Sequence, residues 1–167
     1  PMICLNSTLE PTGRARTTCR HVGTSTPVLC LASGSGLAPI LALTDAALRR
    51  GFEHPVTLLY SARSPADVFD EGLVAWWTAK HRRFNFRVTY TGDAPEGARY
   101  RGRIPTILDQ LVQDLSGHAV YIAGNPDFVD ACVEAARALG APDERIFVER
   151  YHPQSPAVTP RRDQLVS

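Results

Sequence analysis

The chain alternates short apolar segments with segments of helical spacing, and this order restricts the fold more than any other feature. The predicted strands are residues 27–32, 56–60, 84–90, 119–123 and 145–149, and the predicted helices are residues 38–50, 67–83, 104–115 and 126–139. Strands that alternate with helices form parallel sheets with helices on both faces. The sequence therefore predicts an α/β fold, a three-layer, doubly wound sheet of five parallel strands.

Two segments lie outside this alternation. Residues 1–26 are polar and rich in turn-forming residues, and they predict an irregular leader or connector with room for one strand. Residues 152–167 contain three prolines and predict a flexible tail. The regular pattern from residue 27 to residue 151 predicts one domain.

Composition excludes several classes of function. The chain has 18 basic and 17 acidic residues, and its formal net charge of +1 argues against nucleic-acid binding. No apolar run approaches the roughly 20 residues of a membrane-spanning helix, so we expect no membrane association. The four cysteines and five histidines lack metal-ligand spacing, so no metal site is predicted. Cysteines without a disulfide pattern favour a cytoplasmic protein.

The strongest chemical signal is a glycine-rich turn directly after the first predicted strand. Its residues are Ser33, Gly34, Ser35, Gly36, Leu37, Ala38 and Pro39. Glycines let the backbone approach a phosphate closely, and the helix that follows presents free N–H groups to an anion. We expect Gly36 to leave space for a phosphate, so that a side chain there would abolish binding with the fold intact. The alternative is a tight turn that serves only the structure.

A second turn follows the fourth predicted strand and consists of Ala123, Gly124, Asn125 and Pro126. Asn125 is predicted to cap the next helix and Pro126 to be its first residue. A well-capped helix without a ligand is the alternative for this turn taken alone. Because ligands bind beyond the carboxyl ends of parallel strands, the two turns together predict one crevice for an elongated dinucleotide.

Three motifs in this order carry a resemblance to a known family. They are Gly34 to Pro39, Gly102-Arg103-Ile104-Pro105 and Gly124-Asn125-Pro126. Together they resemble the NAD(P)-binding domain of the ferredoxin–NADP reductase family, over residues 27–151. The similarity is greatest to bacterial ferredoxin reductases and to the reductase components of oxygenases.

The resemblance implies a role for each turn of the predicted edge. Ser33 to Pro39 would hold the pyrophosphate of NADH or NADPH, and Ala123 to Pro126 would line the nicotinamide. Ser61 and Arg63, at the end of the second strand, would lie at the adenosine ribose, and Arg63 and Arg103 match positions that contact a 2′-phosphate. Each arginine has a solvated or ion-paired surface charge as its alternative. Asp93, which follows the third strand, would repel a phosphate if it pointed inward, so the sequence leaves the choice of coenzyme open.

The resemblance also implies a catalytic pair, Glu149 and Tyr151, that approaches a flavin at the end of the last strand. The alternative for Tyr151 is a half-buried tyrosine at a strand end. The family's flavin-binding barrel carries an R-x-Y-S/T motif, and residues 1–26 contain no match to it. FAD is therefore expected to be held mainly by a domain absent from this chain, on a separate chain or on an upstream segment.

The function implied is an NAD(P)H-binding module of a flavin-dependent oxidoreductase. Hydride would pass from NAD(P)H to FAD, and electrons would pass on to a ferredoxin or an oxygenase component. The expected partner is a flavin-binding domain or a flavoprotein subunit. A non-catalytic nucleotide-binding or interaction subunit is the main alternative. A hydrolase or transferase is a third, and it would need a catalytic base near Ser33 or Ser35.

Two adjacent tryptophans lie in the second predicted helix. One buried and one exposed indole are predicted, in preference to an aromatic binding platform.

Overall fold

The computed structural model describes residues 7–9, 15–17, 25–51, 53–69 and 71–151. Its larger sheet contains five parallel strands, joined by helices along the chain. The strands of this sheet are β3 (Val28–Ser33), β4 (Val56–Ala62), β5 (Phe84–Tyr90), β6 (Ala119–Gly124) and β7 (Ile146–Arg150). The helices are α1 (Leu37–Arg49), α2 (Glu71–Lys80), α3 (Ile104–Leu111) and α4 (Pro126–Ala138).

The strand order is β5-β4-β3-β6-β7, so the chain winds outwards in both directions from β3. Each adjacent pair of strands is parallel. The order reverses between β3 and β6, which makes this the topological switch point of the sheet, where a crevice opens at the carboxyl edge. The predicted five-stranded, doubly wound α/β fold is confirmed.

The sheet lies between two hydrophobic cores, one on each face. Residues of α1 and α2, such as Ile40 and Trp77, pack on one face with Cys30 and Leu58 of the central strands. Residues of α3 and α4 pack on the other face with the alternate residues of the same strands, such as Leu31. The side chains of β3 and β4 are buried on both faces, which explains the unbroken apolar character of these segments.

Trp77 is 1% exposed and contacts Phe84 edge to face, with ring centroids 5.6 Å apart. Trp76 is 51% exposed. The prediction of one core and one surface tryptophan is confirmed, because α2 turns only one side toward the sheet.

Two predicted helices are shorter in the structure. The second begins at Glu71 and not at residue 67, because Pro65–Asp67 forms a separate 3₁₀ turn closed by hydrogen bonds between Ser64 and Asp67. The third ends at Leu111 and not at residue 115, because Val112 is extended. Leu115 continues the apolar spacing but is buried beyond the helix, where its N–H donates to the carbonyl of Leu139 (2.8 Å).

The flanking segments are described only in part. Within the predicted leader, β1 (Ser7–Leu9) pairs antiparallel with β2 (Ala15–Thr17). The predicted tail, residues 152–167, lies outside the described residues. None of the described helices has the length and apolar character that crossing a membrane requires.

Candidate functional site

The first glycine-rich turn leaves β3 at the switch point. Gly34 has a φ of 54°, a left-handed conformation that favours glycine, and Gly34–Gly36 forms a 3₁₀ turn that continues into α1 at Leu37. Gly34 and Ser35 are exposed. The first turn of a helix leaves backbone N–H groups without helical partners, so this turn directs donors and a partial positive charge beyond the sheet edge.

Gly36 has a role different from the predicted one. It is buried, and a Cβ atom there would overlap the carbonyl oxygen of Ala123 and lie 2.6 Å from the nitrogen of Gly124. The expectation that a side chain at Gly36 would fill the place of a phosphate is therefore wrong. Such a side chain would collide first with the backbone of β6, because the two turns pack directly against each other.

The second turn leaves β6 with the predicted cap. The Asn125 side chain accepts a hydrogen bond from the N–H of Phe128 (2.8 Å), and Pro126 is the first residue of α4, which confirms both predictions. A Cβ atom at Gly124 would lie 2.7 Å from the ring of Phe128. Gly124 therefore lets the Phe128 ring lie against the end of β6.

A cleft of about 510 Å³ opens at the carboxyl ends of the strands. Six of the predicted site residues line it: Ser33, Gly34, Ser61, Arg63, Arg103 and Asn125. The others do not line this cleft: Ser35, Gly36, Leu37, Pro39, Ala123, Gly124, Pro126, Glu149 and Tyr151. Four separate segments of the sequence therefore meet at one cavity, and the remaining predicted residues support or adjoin its β3 and β6 sides.

The two predicted arginines both line the cleft from exposed positions. Their guanidinium groups make no hydrogen bond or ion pair to the residues that the structure describes. Their backbones are fixed, because the carbonyl of Arg63 accepts from Gly92 (3.0 Å) and that of Arg103 accepts from the side chain of Thr106 (2.8 Å). Asp93 is exposed and is not among the lining residues. The cleft therefore has two cationic groups available to an anion.

One wall of the cleft is a loop held by side-chain hydrogen bonds. The Asp67 carboxylate accepts from the N–H (2.9 Å) and from the hydroxyl (2.7 Å) of Ser64. The hydroxyl of Tyr60 donates to the backbone carbonyl of Asp67 (3.0 Å), and burial, followed by the nearby Asp67 charge, raises the pKa of Tyr60. These bonds hold residues 64–67 against the end of β4.

Several residues that line the cleft were not among the predicted site residues, although Pro105 belongs to one of the three motifs. They are Tyr60, Ala62, Asp67, Phe69, Thr91, Pro105, Thr106, Asp127, Phe128 and Ala131. Phe128 follows the second turn by two residues and could have been found as a first-turn position of α4. Phe69 carried no such signal, because residues 67–83 were expected to form one helix.

Glu149 and Tyr151 form a hydrogen-bonded pair beside the β6 turn. The Tyr151 hydroxyl donates to Oε1 of Glu149 (2.5 Å), and its N–H donates to the carbonyl of Gly124 (2.8 Å). Burial, together with this bond to the carboxylate, raises the pKa of Tyr151 to about 12. Oε2 of Glu149 is buried and has no hydrogen-bond partner among the described residues. Glu149 lies in register with Ala123, so the pair adjoins the predicted nicotinamide side.

The described residues contain no group of three or more His, Cys, Asp or Glu side chains that could hold a metal ion. The lining of the cleft combines two guanidinium groups, of Arg63 and Arg103, with the carboxylates of Asp67 and Asp127, several hydroxyl groups and aromatic rings.

Comparison with known proteins gives consistent matches. A family model described as the oxidoreductase NAD-binding domain matches residues 30–134. The ferredoxin–NAD(P)⁺ reductase component of the naphthalene 1,2-dioxygenase system of Pseudomonas putida is 31% identical, over 86% of this chain and 43% of that protein. Ferredoxin–NADP reductase B of Sorangium cellulosum is 27% identical, over 87% of this chain and 62% of that protein.

A solved structure of a reductase is also similar to this chain. The crystal structure of an Amycolatopsis cytochrome P450 reductase matches with a TM-score of 0.73 and 25% identity, over 86% of this chain and 46% of that one. The chain spans less than half the length of the Pseudomonas and Amycolatopsis proteins.

We predict that Gly36→Ala destabilises the fold by about 2 kcal/mol, because the added methyl group collides with backbone atoms that cannot rotate away. Urea denaturation followed by circular dichroism measures the loss. Gly72→Ala is the control, since a Cβ at Gly72 meets nothing within 4 Å and its helix gains a better helix former. Equal stabilities of Gly36→Ala and the parent protein would show that the two turns do not pack as described.

Proposed function

Because this chain belongs to the oxidoreductase NAD-binding domain family, of the ferredoxin–NADP reductase type, we propose that it binds NADH or NADPH as a substrate across the cleft. The observation that carries this proposal is the pair of turns at the switch point. They border one cleft that also holds two guanidinium groups without partners among the described residues. A dinucleotide is long enough to contact both turns, and its phosphates are anions that the guanidinium groups can bind.

The pyrophosphate lies at the β3 turn in this proposal. Gly34 is exposed, and a Cβ atom there would meet no protein atom within 4 Å, so the space above its backbone is open to a ligand. Ser33 and Ser35 supply hydroxyl groups beside the same backbone. The first turn of α1 adds the partial positive charge of its helix dipole, so this site can bind an anion although it has no lysine side chain.

The adenosine half lies toward β4. Ser61 and Arg63 end that strand and would contact the ribose, while Arg103 reaches the same cleft from the segment before α3. A 2′-phosphate would bind between the two guanidinium groups, because each can donate two parallel hydrogen bonds to it.

The nicotinamide lies toward β6, along Ala123 to Pro126. The Glu149–Tyr151 pair next to this turn fits a flavin contact, because the half-buried Tyr151 ring offers an aromatic surface. A flavin, when bound, supplies the acceptor for a hydride and releases electrons singly. In our proposal the pair positions the reacting rings. The Tyr151 hydroxyl is protonated at neutral pH, as an ordinary tyrosine would be, and its raised pKa extends that state to more alkaline pH.

Our proposal for the full reaction is based on the relatives of this chain. The relatives named above include reductase components of a dioxygenase system and a cytochrome P450 reductase. We propose that this chain likewise serves a flavin-dependent reductase that delivers electrons to a ferredoxin or an oxygenase component. A flavin-binding domain or a flavoprotein subunit would be its immediate partner.

Nucleotide binding is tested at Gly34. We predict that Gly34→Ala weakens NADH or NADPH binding about tenfold, because the methyl group projects into the pyrophosphate space. Gly51→Ala is the matched control, since Gly51 has a φ of 68° and equally open surroundings. Isothermal titration calorimetry gives both affinities. No binding of either coenzyme to the parent protein would reject the proposed function, and equal losses in the two variants would reject the pyrophosphate position.

Flavin-dependent turnover separates the enzyme from the non-catalytic alternative. We predict that the chain accelerates NAD(P)H oxidation by ferricyanide when the FAD-loaded flavin domain of a related reductase is supplied with it. Tyr151→Ser should lower this rate about tenfold, or about 1.4 kcal/mol of activation free energy, and leave coenzyme affinity unchanged. Loss of the reduced nicotinamide absorbance follows the reaction. Normal coenzyme binding without acceleration would favour a nucleotide-binding subunit.

Coenzyme choice is tested at Arg103. We predict that Arg103→Ala weakens NADPH binding about tenfold or more and weakens NADH binding much less, because a charge-assisted contact to the 2′-phosphate is lost. Arg82→Ala, an exposed arginine outside the cleft, is the control for a general change of charge. Equal weakening of the two coenzymes by Arg103→Ala would place Arg103 away from the 2′-phosphate.

A further inference from the structure

Phe69 is the most exposed large hydrophobic side chain in the described part of the chain, at 60%. A phenylalanine in water is unremarkable when it stands alone on a convex surface. Phe69 instead lines the concave cleft at the carboxyl edge of the sheet. Its exposed ring is therefore available to a ligand in that cleft.

The loop that carries Phe69 is held in place before any ligand binds. Ser64 donates two hydrogen bonds to the Asp67 carboxylate, and Tyr60 holds the Asp67 carbonyl. The N–H of Val68 donates to the carbonyl of Pro65 (3.2 Å), and the Val68 side chain packs against the core. The residue before Phe69 is therefore anchored on the core, and Phe69 itself lines the cleft.

The cleft contains a second phenylalanine, but its environment differs. Phe128 is partly buried and lies against Gly124, on the β6 side. Phe69 belongs to the loop after β4, six residues beyond Arg63, on the side of the Arg63 and Arg103 guanidinium groups. A flat aromatic ligand group attached to a ribose or phosphate held by Arg63 would therefore meet Phe69 and not Phe128.

We propose that Phe69 is the stacking surface for the adenine base of the coenzyme and supplies much of the affinity of that half. This inference rests on the proposed function and adds to it the residue that recognises the base. Stacking on an aromatic ring contributes binding energy to any planar base, because every base has a π-face. Phe69 would therefore recognise the flat shape of the base, while the guanidinium groups would recognise the negative charge of the phosphates.

The test compares variants of Phe69 with ADP-ribose and inorganic pyrophosphate as probes, using calorimetry. We expect Phe69→Ala to weaken ADP-ribose binding about tenfold or more and to leave pyrophosphate binding unchanged, because pyrophosphate has no base. Phe69→Trp should restore the affinity for ADP-ribose, and Phe69→Leu should restore little of it. Trp76→Ala is the matched control, since Trp76 is an exposed aromatic residue (51%) outside the cleft.

Each outcome separates the inference from the function it rests on. If the parent protein binds neither ADP-ribose nor NAD(P)H, the proposed function fails and the inference fails with it. If the parent protein binds both and Phe69→Ala binds ADP-ribose equally well, the function stands and the inference is overturned. Nuclear Overhauser effects between the Phe69 ring and adenine H2 or H8 would support stacking directly, and their absence in the bound complex would overturn it.

Discussion

The contact between Gly36 and the carbonyl group of Ala123 sets the geometry of the whole carboxyl edge. β3 and β6 are neighbours in the sheet, but the helices that follow them, α1 and α4, pack on opposite faces. The chain must therefore diverge above the strands, and a crevice opens where it does. The close backbone approach at Gly36 holds the bases of the two turns together. Because of this contact, the crevice is narrow, and one ligand can contact both turns.

Much of this arrangement could be predicted because it follows from local rules. Apolar runs and helical spacing gave the strand and helix order, and Asn125 with Pro126 gave the start of α4. The lengths of α2 and α3 could not be predicted, since periodicity does not reveal where a tertiary contact replaces a helical one. Leu115 keeps the helical spacing, yet it is buried by its contact with the chain beyond α4.

The roles of individual site residues depended on contacts distant in sequence. A glycine needed for a ligand and a glycine needed for packing look the same in a motif, and only the position of the Ala123 carbonyl distinguishes them for Gly36. Arg63 and Arg103 are 40 residues apart and share a cleft only because α3 begins beside the end of β4. Their placement could be proposed from the family resemblance, but their lack of partners in the described structure could not.

The two ends of the cleft are built differently, and the proposed reaction gives a physical reason. The β4 side offers exposed side chains, two guanidinium groups and the Phe69 ring, which can gain binding free energy without touching the reacting atoms. The β6 side offers backbone packed around Gly36 and Gly124, with the Glu149–Tyr151 pair beside it. Binding energy from the remote half of a substrate can hold the reacting half in a rigid, precisely shaped place. On the proposed function, the open half supplies affinity, and the closed half fixes the position of the nicotinamide.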